Sequence, residues 1–469
     1  MPIPRFDVAV VGAGLSGLRA ATLIQQAGYS CAVLEAMDRV GGKTYSHKSV
    51  KGGKIDLGAA WINDTNQSEM FALAKEFGFD LIKQRTVGLN VHQSADGSFV
   101  SFPYRSDLED SPDTTPELKG AIEVFNKLVE SSNLEHPEQG PNAKMLDSVT
   151  FHEFIQEYAG EEGVAMANHL SQALLGVEAE ELSALYMIDY IKSGTGLANM
   201  ASDEKHGGQY LRNRQGNQSF SLKLAEMLAP NSVFLSTPVS KITQLQNGKC
   251  EVSTKTSLSF ECKRVVVSVP TCLYPTITFE PALPAAKRTL AENTALGYYS
   301  KMIFVFDSPW WREAGFSGVV TSDEGPICFS RDTCSEEDGQ YSITCFLVGD
   351  VGRRWSKFSA AMRKKQVKDQ FYAAFRSAKP ALPTLEPIEV IEKEWAKDPW
   401  TKGAPSPVMM PGTMTSESGQ AIRSAFENVH FIGTETAYVW KGYLEGAVRS
   451  GKRGAAEVVH ALGQRRAKV

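Results

Sequence analysis

The chain has 469 residues, is 42% hydrophobic and 22% charged, and carries 49 Lys and Arg against 54 Asp and Glu, a formal charge of −5. These proportions exclude disordered and collagen-like chains, and a mildly acidic balance offers no footprint for nucleic acid or an anionic membrane. The 7 cysteines are scattered without a CxxC, the 8 histidines supply no HxxxH, and no apolar run approaches the ~20 residues that span a bilayer, so neither a metal site nor a membrane anchor is expected.

Phe6–Val11 is a short apolar run of strand type, and so little precedes it that no signal peptide is expected. Leu15 to Ala27 has helical apolar spacing with Gly28 as its stop, and Ser30–Leu34 reads as a second buried strand. This β–α–β unit predicts a doubly wound α/β sheet of Rossmann type. From about Thr86 to Met200 the chain turns to polar helix formers and acidic turns at Asp107–Pro116 and Glu130–Asn142, with few strand signals. Strand signals return between Ser232 and Pro270, then at Lys301–Phe306 and Ser342–Val348. A helix is expected at Ser359–Ala378, and the chain closes with a strand at Val429–Ile432 and a helix from about Tyr443 to His460. The pattern predicts two intertwined units. A nucleotide-binding domain takes residues 1–86, 203–285 and 391–469, and an α+β substrate domain takes 87–202 and 286–390.

Gly12-Ala13-Gly14-Leu15-Ser16-Gly17 is GxGxxG between a strand and a helix. Gly12 allows the tight turn, Gly14 lets backbone approach a diphosphate, and Gly17 lets the helix pack closely. The free N–H groups of Leu15 and Ser16 then face the anion. Glu35 closes the second strand where a carboxylate accepts hydrogen bonds from ribose hydroxyls. In Glu35-Ala36-Met37-Asp38-Arg39-Val40-Gly41-Gly42-Lys43-Thr44, the Gly41-Gly42 pair lets backbone lie against a ligand while Arg39 and Lys43 offset phosphate charge.

With these residues the chain resembles the flavin-dependent amine oxidases, specifically the monoamine oxidase branch. The resemblance continues through Asp56-Leu57-Gly58-Ala59-Ala60-Trp61 and closes with Phe431-Ile432-Gly433-Thr434-Glu435-Thr436-Ala437 and Gly442-Tyr443-Leu444-Glu445-Gly446-Ala447, covering residues 6 to 460. It implies FAD held by these segments, with Gly433, Glu435, Leu444 and Ala447 at the flavin end and Val239 beside the adenine. Trp395 and Trp400 match aromatics packed near the flavin. It further implies catalytic roles for Lys301, holding a water beside flavin N5, and for Tyr443, one ring of an aromatic cage around the amine. Gln209 matches a pocket-lining glutamine. The second ring should follow Gly403-Ala404, where this chain has Pro405, so Trp61 or Trp400 is needed to complete the cage. Ala404 stands where animal relatives have the cysteine that bonds the flavin, so FAD is expected to be non-covalent.

The implied activity is oxidative deamination of a primary amine with O2. Ser202, at a position that is bulky in relatives, suggests a wide channel and long-chain amines, such as aminated polyketides of the fumonisin type. A polyamine oxidase and an L-amino-acid oxidase remain alternatives, as does a non-enzymatic escort protein of the GDP-dissociation-inhibitor type. The chain ends Gln464-Arg465-Arg466-Ala467-Lys468-Val469, without an apolar tail or a Ser-Lys-Leu address. A soluble cytoplasmic protein is expected, and a homo-oligomer is left open.

Overall fold

The computed structural model describes residues 3–104, 115–382 and 385–466. The acidic stretch anticipated from Asp107 lies outside the described residues up to position 114, as does the chain's ending at 467–469.

Four apolar segments, Val8–Val11, Cys31–Leu34, Arg264–Val267 and Val429–Phe431, are buried along their whole length. Continuous burial of this kind marks a parallel sheet covered on both faces. With Val233–Phe234 they form a five-stranded parallel sheet in the order 233–234, 31–34, 8–11, 264–267, 429–431. The strands come from the beginning, middle and end of the chain.

Helix Leu15–Gln26 and the closing helix Leu444–Arg466 pack against each other on one face. A small-residue contact brings them close. Ser16 and Ser450 share a hydrogen bond of 2.9 Å, and a methyl group at Gly451 would lie 2.5 Å from the Ser16 carbonyl oxygen.

The strand-rich stretch anticipated between Ser232 and Pro270 divides between two sheets. Val239–Gln244, Cys250–Thr254 and Ser259–Cys262 join Thr278–Glu280 in a four-stranded sheet, whereas Arg264–Val267 enters the parallel one.

A seven-stranded sheet runs in the order 389–394, 299–306, 341–348, 329–332, 316–322, 89–93, 99–103. Two of its strands, Tyr299–Phe306 and Tyr341–Val348, extend the runs foreseen from sequence by one or two residues. Five others were not foreseen. Leu89–Gln93 and Phe99–Pro103 form a hairpin within a stretch read as helical, and Glu389–Glu394 is a charged edge strand. Their side chains lack clean alternation, so tertiary pairing decides their conformation. The expected boundary between 390 and 391 falls inside Glu389–Glu394, which pairs with Tyr299–Phe306.

The helical layer includes Pro116–Ser131, Phe151–Leu175 and Ala184–Ser193. Phe151–Leu175 starts with a capping box between Thr150 and Glu153.

Candidate active site

The first strand ends at Gly12, whose φ of +101° suits glycine. A methyl group at Gly17 would lie 2.2 Å from the Gly12 carbonyl oxygen, so only glycine lets the helix start this close to the turn. Gly14 caps the helix without a side-chain acceptor for its first N–H groups. A methyl there would meet nothing within 4 Å, because the position faces an open cavity. The Gly41-Gly42 turn closes over this loop. Gly41 donates its N–H to the Ala13 carbonyl at 2.8 Å, and a methyl on Gly42 would sit 3.3 Å from the Gly14 Cα.

Glu35 accepts from the Ala13 N–H at 2.6 Å and the Met37 N–H at 2.9 Å, one bond to each carboxylate oxygen. Burial raises its pKa, and those two bonds oppose the rise. The Thr237 N–H donates to the Glu35 carbonyl at 2.7 Å, which brings Val239 to the same end of the cavity.

At the other end of the chain, Glu435 accepts from the Thr271 N–H at 2.9 Å and the Thr271 hydroxyl at 3.1 Å. Burial raises its pKa, and the Lys43 ammonium is among the groups that oppose this. Lys43 donates to the Pro405 carbonyl at 2.9 Å, tying the first loop to the 404–405 segment.

These residues enclose one cavity of about 1100 Å³, which extends from Gly14 and Glu35 to the seven-stranded sheet. Its wall includes every residue proposed from sequence except Gly17, Arg39 and Ser202. Gly17 acts behind the loop. Arg39 turns away from the cavity and donates to the carbonyls of Gly42 at 3.0 Å and Thr44 at 3.3 Å, with its guanidinium 4.3 Å from the Tyr45 ring centre. The turn's own carbonyls satisfy its donors, so it braces the Gly-Gly turn from behind.

Lys301 is buried and donates to the Asp56 carbonyl at 3.0 Å and the Gly58 carbonyl at 2.6 Å. Two of its three hydrogens are thereby fixed, and the ammonium lies 5.1 Å from the Phe346 ring centre. Burial brings its pKa down to about 8, against the pull of the Asp56 carboxylate. Asp56 is itself pushed up to about 6 by burial, despite bonds from the Ser46 hydroxyl and the Asn217 N–H. Trp395 donates its indole N–H to the Leu57 carbonyl at 2.9 Å, which fixes the Gly58–Ala60 turn beneath the cavity.

Tyr443 has Trp440 edge-on at 4.8 Å between ring centres and Tyr190 at 6.2 Å. Burial holds its phenol neutral by pushing the pKa well above the usual range. Trp61 and Trp400 line the same cavity but are engaged elsewhere. Trp61 packs on Phe346 and donates to Gln84 at 3.0 Å, and Trp400 faces Lys255.

Gln209 donates its amide N–H to the Met200 carbonyl at 3.1 Å. Its buried carboxamide oxygen has no partner among the described residues, an arrangement that calls for a donor from a ligand. Ser202 is not part of the wall; its neighbours Ala201 and Asp203 are. The Ser202 hydroxyl instead accepts from the Glu204 N–H at 3.1 Å.

Sequence reasoning missed Tyr190, Tyr104, Asp203, His92, His169, Asp323 and Arg331, all of which line the cavity. Each lies in a segment with no motif, and only the packing of strands, helices and loops distant in sequence gathers them. An uncapped helix start, a buried carboxylate at the end of the second strand and a bare glycine facing the cavity together fit a dinucleotide.

The profile of the family described as flavin containing amine oxidoreductase matches residues 15–459. The chain is 29% identical over 463 residues to Amine oxidase [flavin-containing] B of Homo sapiens, covering 98% of this chain and 87% of that protein. Among solved structures it is similar to putrescine oxidase bound to putrescine, with a TM-score of 0.88 and 26% identity over 98% of this chain and 100% of the other. It is also similar to cyclohexylamine oxidase from Brevibacterium oxydans IH-35A, with a TM-score of 0.89 and 27% identity over the same shares of the two chains. A match spanning nearly the whole chain, with both ends meeting at one cavity lined by Lys301 and Tyr443, places the chain in the flavin-containing amine oxidase family.

Proposed function

We propose that the protein oxidises primary amines by R–CH2–NH2 + O2 + H2O → R–CHO + NH3 + H2O2, through an imine that hydrolyses. The observation that carries this is the unpartnered Gln209 oxygen, a buried acceptor in the same cavity wall as Tyr443 and Lys301. FAD, when bound, supplies the two-electron oxidation. The chain's own residues bind and orient. The loop from Gly12 to Gly17, with Glu35, Ala36, Gly41, Gly42 and Lys43, would hold the diphosphate and ribose, and Val239 the adenine. Gly58–Trp61, Trp395, Trp400, Gly433, Glu435, Leu444 and Ala447 would surround the flavin. Tyr443 would wall the amine, Gln209 would accept its N–H, and the third hydrogen of Lys301 would hold a water near the reacting carbon. Residues 1–86, 203–285 and 391–469 would then make the FAD-binding unit, with the sheet strand 389–394 shared between the two units.

Retention of FAD without a covalent bond is supported by Ala404, which lines the cavity, and by the fact that no cysteine does so among the described residues. A cavity of about 1100 Å³ exceeds the usual range of roughly 300–1,000 Å³ for small-molecule sites, as a site for both cofactor and substrate must. Long-chain primary amines, including aminated polyketides of the fumonisin type, are the preferred substrates on this reading. The names of the structural neighbours add putrescine and cyclohexylamine as probes. A peroxide-release screen of the yellow protein across alkyl monoamines, diamines, polyamines and L-amino acids tests the activity. Turnover is expected to be highest on long monoamines. Absence of peroxide from every amine would overturn the proposal, and a best substrate among polyamines or amino acids would redirect it.

A further inference from the structure

One row of side chains crosses the seven-stranded sheet at a single register. His92 stands opposite Val100 and Thr321, Thr321 opposite Phe329, Phe329 opposite Phe346, and Phe346 opposite Lys301. Residues directly opposite in neighbouring strands point to the same face, and all six line the cavity. With strands about 4.8 Å apart, Thr321 lies roughly 14 Å from Lys301 and His92 roughly 19 Å. The row therefore measures the length of the substrate space and shows how its chemistry changes with distance.

Next to Lys301 the row is aromatic. Phe346 and Phe329 stack at 4.3 Å with 13° between their planes, and Met166, Leu170 and Leu174, spaced four apart on one helix face, line the same space. Beyond Phe329 the wall gains polar groups, with Val100 at its outer edge. Arg331, two residues along the same strand and on the same face, is paired with Asp203 at 2.9 Å. Asp203 is 2% exposed and also accepts from the Tyr104 hydroxyl. His92 meets Asp323 at 3.3 Å and the Thr321 hydroxyl at 3.0 Å. Burial keeps His169, beside them, neutral by lowering its pKa.

Each charge at this end has its opposite within reach, so a tail ion of either sign would meet repulsion along with attraction. Among the described residues, Asp203 Oδ1 is buried without a partner; Arg331 Nη1 donates to the Ser330 carbonyl at 3.0 Å and Nε stands 2.9 Å from Asp203 Oδ2, which leaves Nη2 as the open donor. An acceptor and a donor side by side match a hydroxyl, which is both at once.

We propose that this end of the cavity binds the hydroxylated tail of an elongated amine, across an aromatic middle, with Arg331 as the residue that determines specificity. The proposal rests on the amine oxidase reading and deepens it.

The test uses holoenzyme and matched amines of equal length: hexyl-, octyl- and decylamine, with their ω-hydroxy, ω-carboxy and ω-amino counterparts. Initial rates of peroxide release give kcat and KM for each. At the lengths that reach Arg331, the ω-hydroxy amine is expected to exceed the plain amine in kcat/KM by on the order of tenfold, chiefly through KM. Arg331→Leu should bring that ratio towards one. Tyr104→Phe, which keeps the ring and removes the donor to Asp203, should lower it partly and serves if the arginine variant fails to fold. Equal kcat/KM for hydroxy and plain amines at every length overturns the proposal, as does a carboxylate or ammonium tail that outperforms the hydroxyl. Turnover without any tail preference refutes this inference alone, whereas no turnover on any amine refutes the reading beneath it.

Discussion

Lys301 carries an ammonium into a place where burial works against its charge, and two backbone carbonyls, the Phe346 ring and the more distant Asp56 carboxylate oppose that cost. In the unfolded chain it keeps its proton to about 10.5, and in the fold only to about 8. Between those values the unfolded state binds more protons, so rising pH favours the fold through this group. Wild type should therefore gain melting temperature relative to Lys301→Met as pH climbs from below 8 towards 10. The same variant should stay yellow while turnover falls tenfold or more, about 1.4 kcal/mol per decade. Parallel pH–stability curves, or unchanged turnover, would count against this assignment. Tyr443 is a question of shape, because its buried phenol stays neutral. Tyr443→Phe should change kcat/KM by no more than a few-fold. Tyr443→Ala removes a wall braced by Trp440 and Tyr190 and should cost tenfold or more; wild-type kinetics in the alanine variant would move the amine site elsewhere.

The cofactor cradle belongs to the strand–turn–helix element, and its tolerance is set by backbone contact. A methyl at Gly17 would stand 2.2 Å from the Gly12 carbonyl, which is backbone, and 2.8 Å from the Ser268 hydroxyl, which is held by the Val11 and Gly12 carbonyls. Gly17→Ala must push the helix off the strand, at an overpacking cost of about 1–3 kcal/mol. The helix start then retreats from the anion it faces. Lower melting temperature together with a reduced ratio of flavin to protein absorbance is expected; normal flavin content would show that the helix start does not hold the diphosphate. This element was legible in the sequence because its glycines act through the backbone of their immediate neighbours. The hairpin Leu89–Gln93 and Phe99–Pro103 was not, since LNVHQ and FVSFP become strands only by pairing with each other and with Phe316–Ser322.

For the whole molecule, both ends of the chain meet at one cavity, so on the proposed function cofactor retention would be shared by Glu35, the first helix, Glu435 and the closing helix. With Ala404 in the wall and no cysteine there among the described residues, acid precipitation should release the yellow colour into the supernatant. A washed pellet that stays yellow would demonstrate a covalent link. No helix among the described residues is long and apolar enough to cross a membrane.

The sequence by itself determined the strand–glycine turn–helix element and the amine oxidase family, because both are written in contiguous motifs that depend on local backbone geometry. That Lys301 and Tyr443 share one cavity wall was legible through the same resemblance. Tertiary structure alone decided that Arg39 braces a turn instead of facing the cavity, and that Ser202 lies behind a wall formed by Ala201 and Asp203. It alone aligned Lys301, Phe346, Phe329, Thr321 and His92 in one row. Register between strands distant in sequence sets which side chains share a face, and no local pattern encodes that pairing.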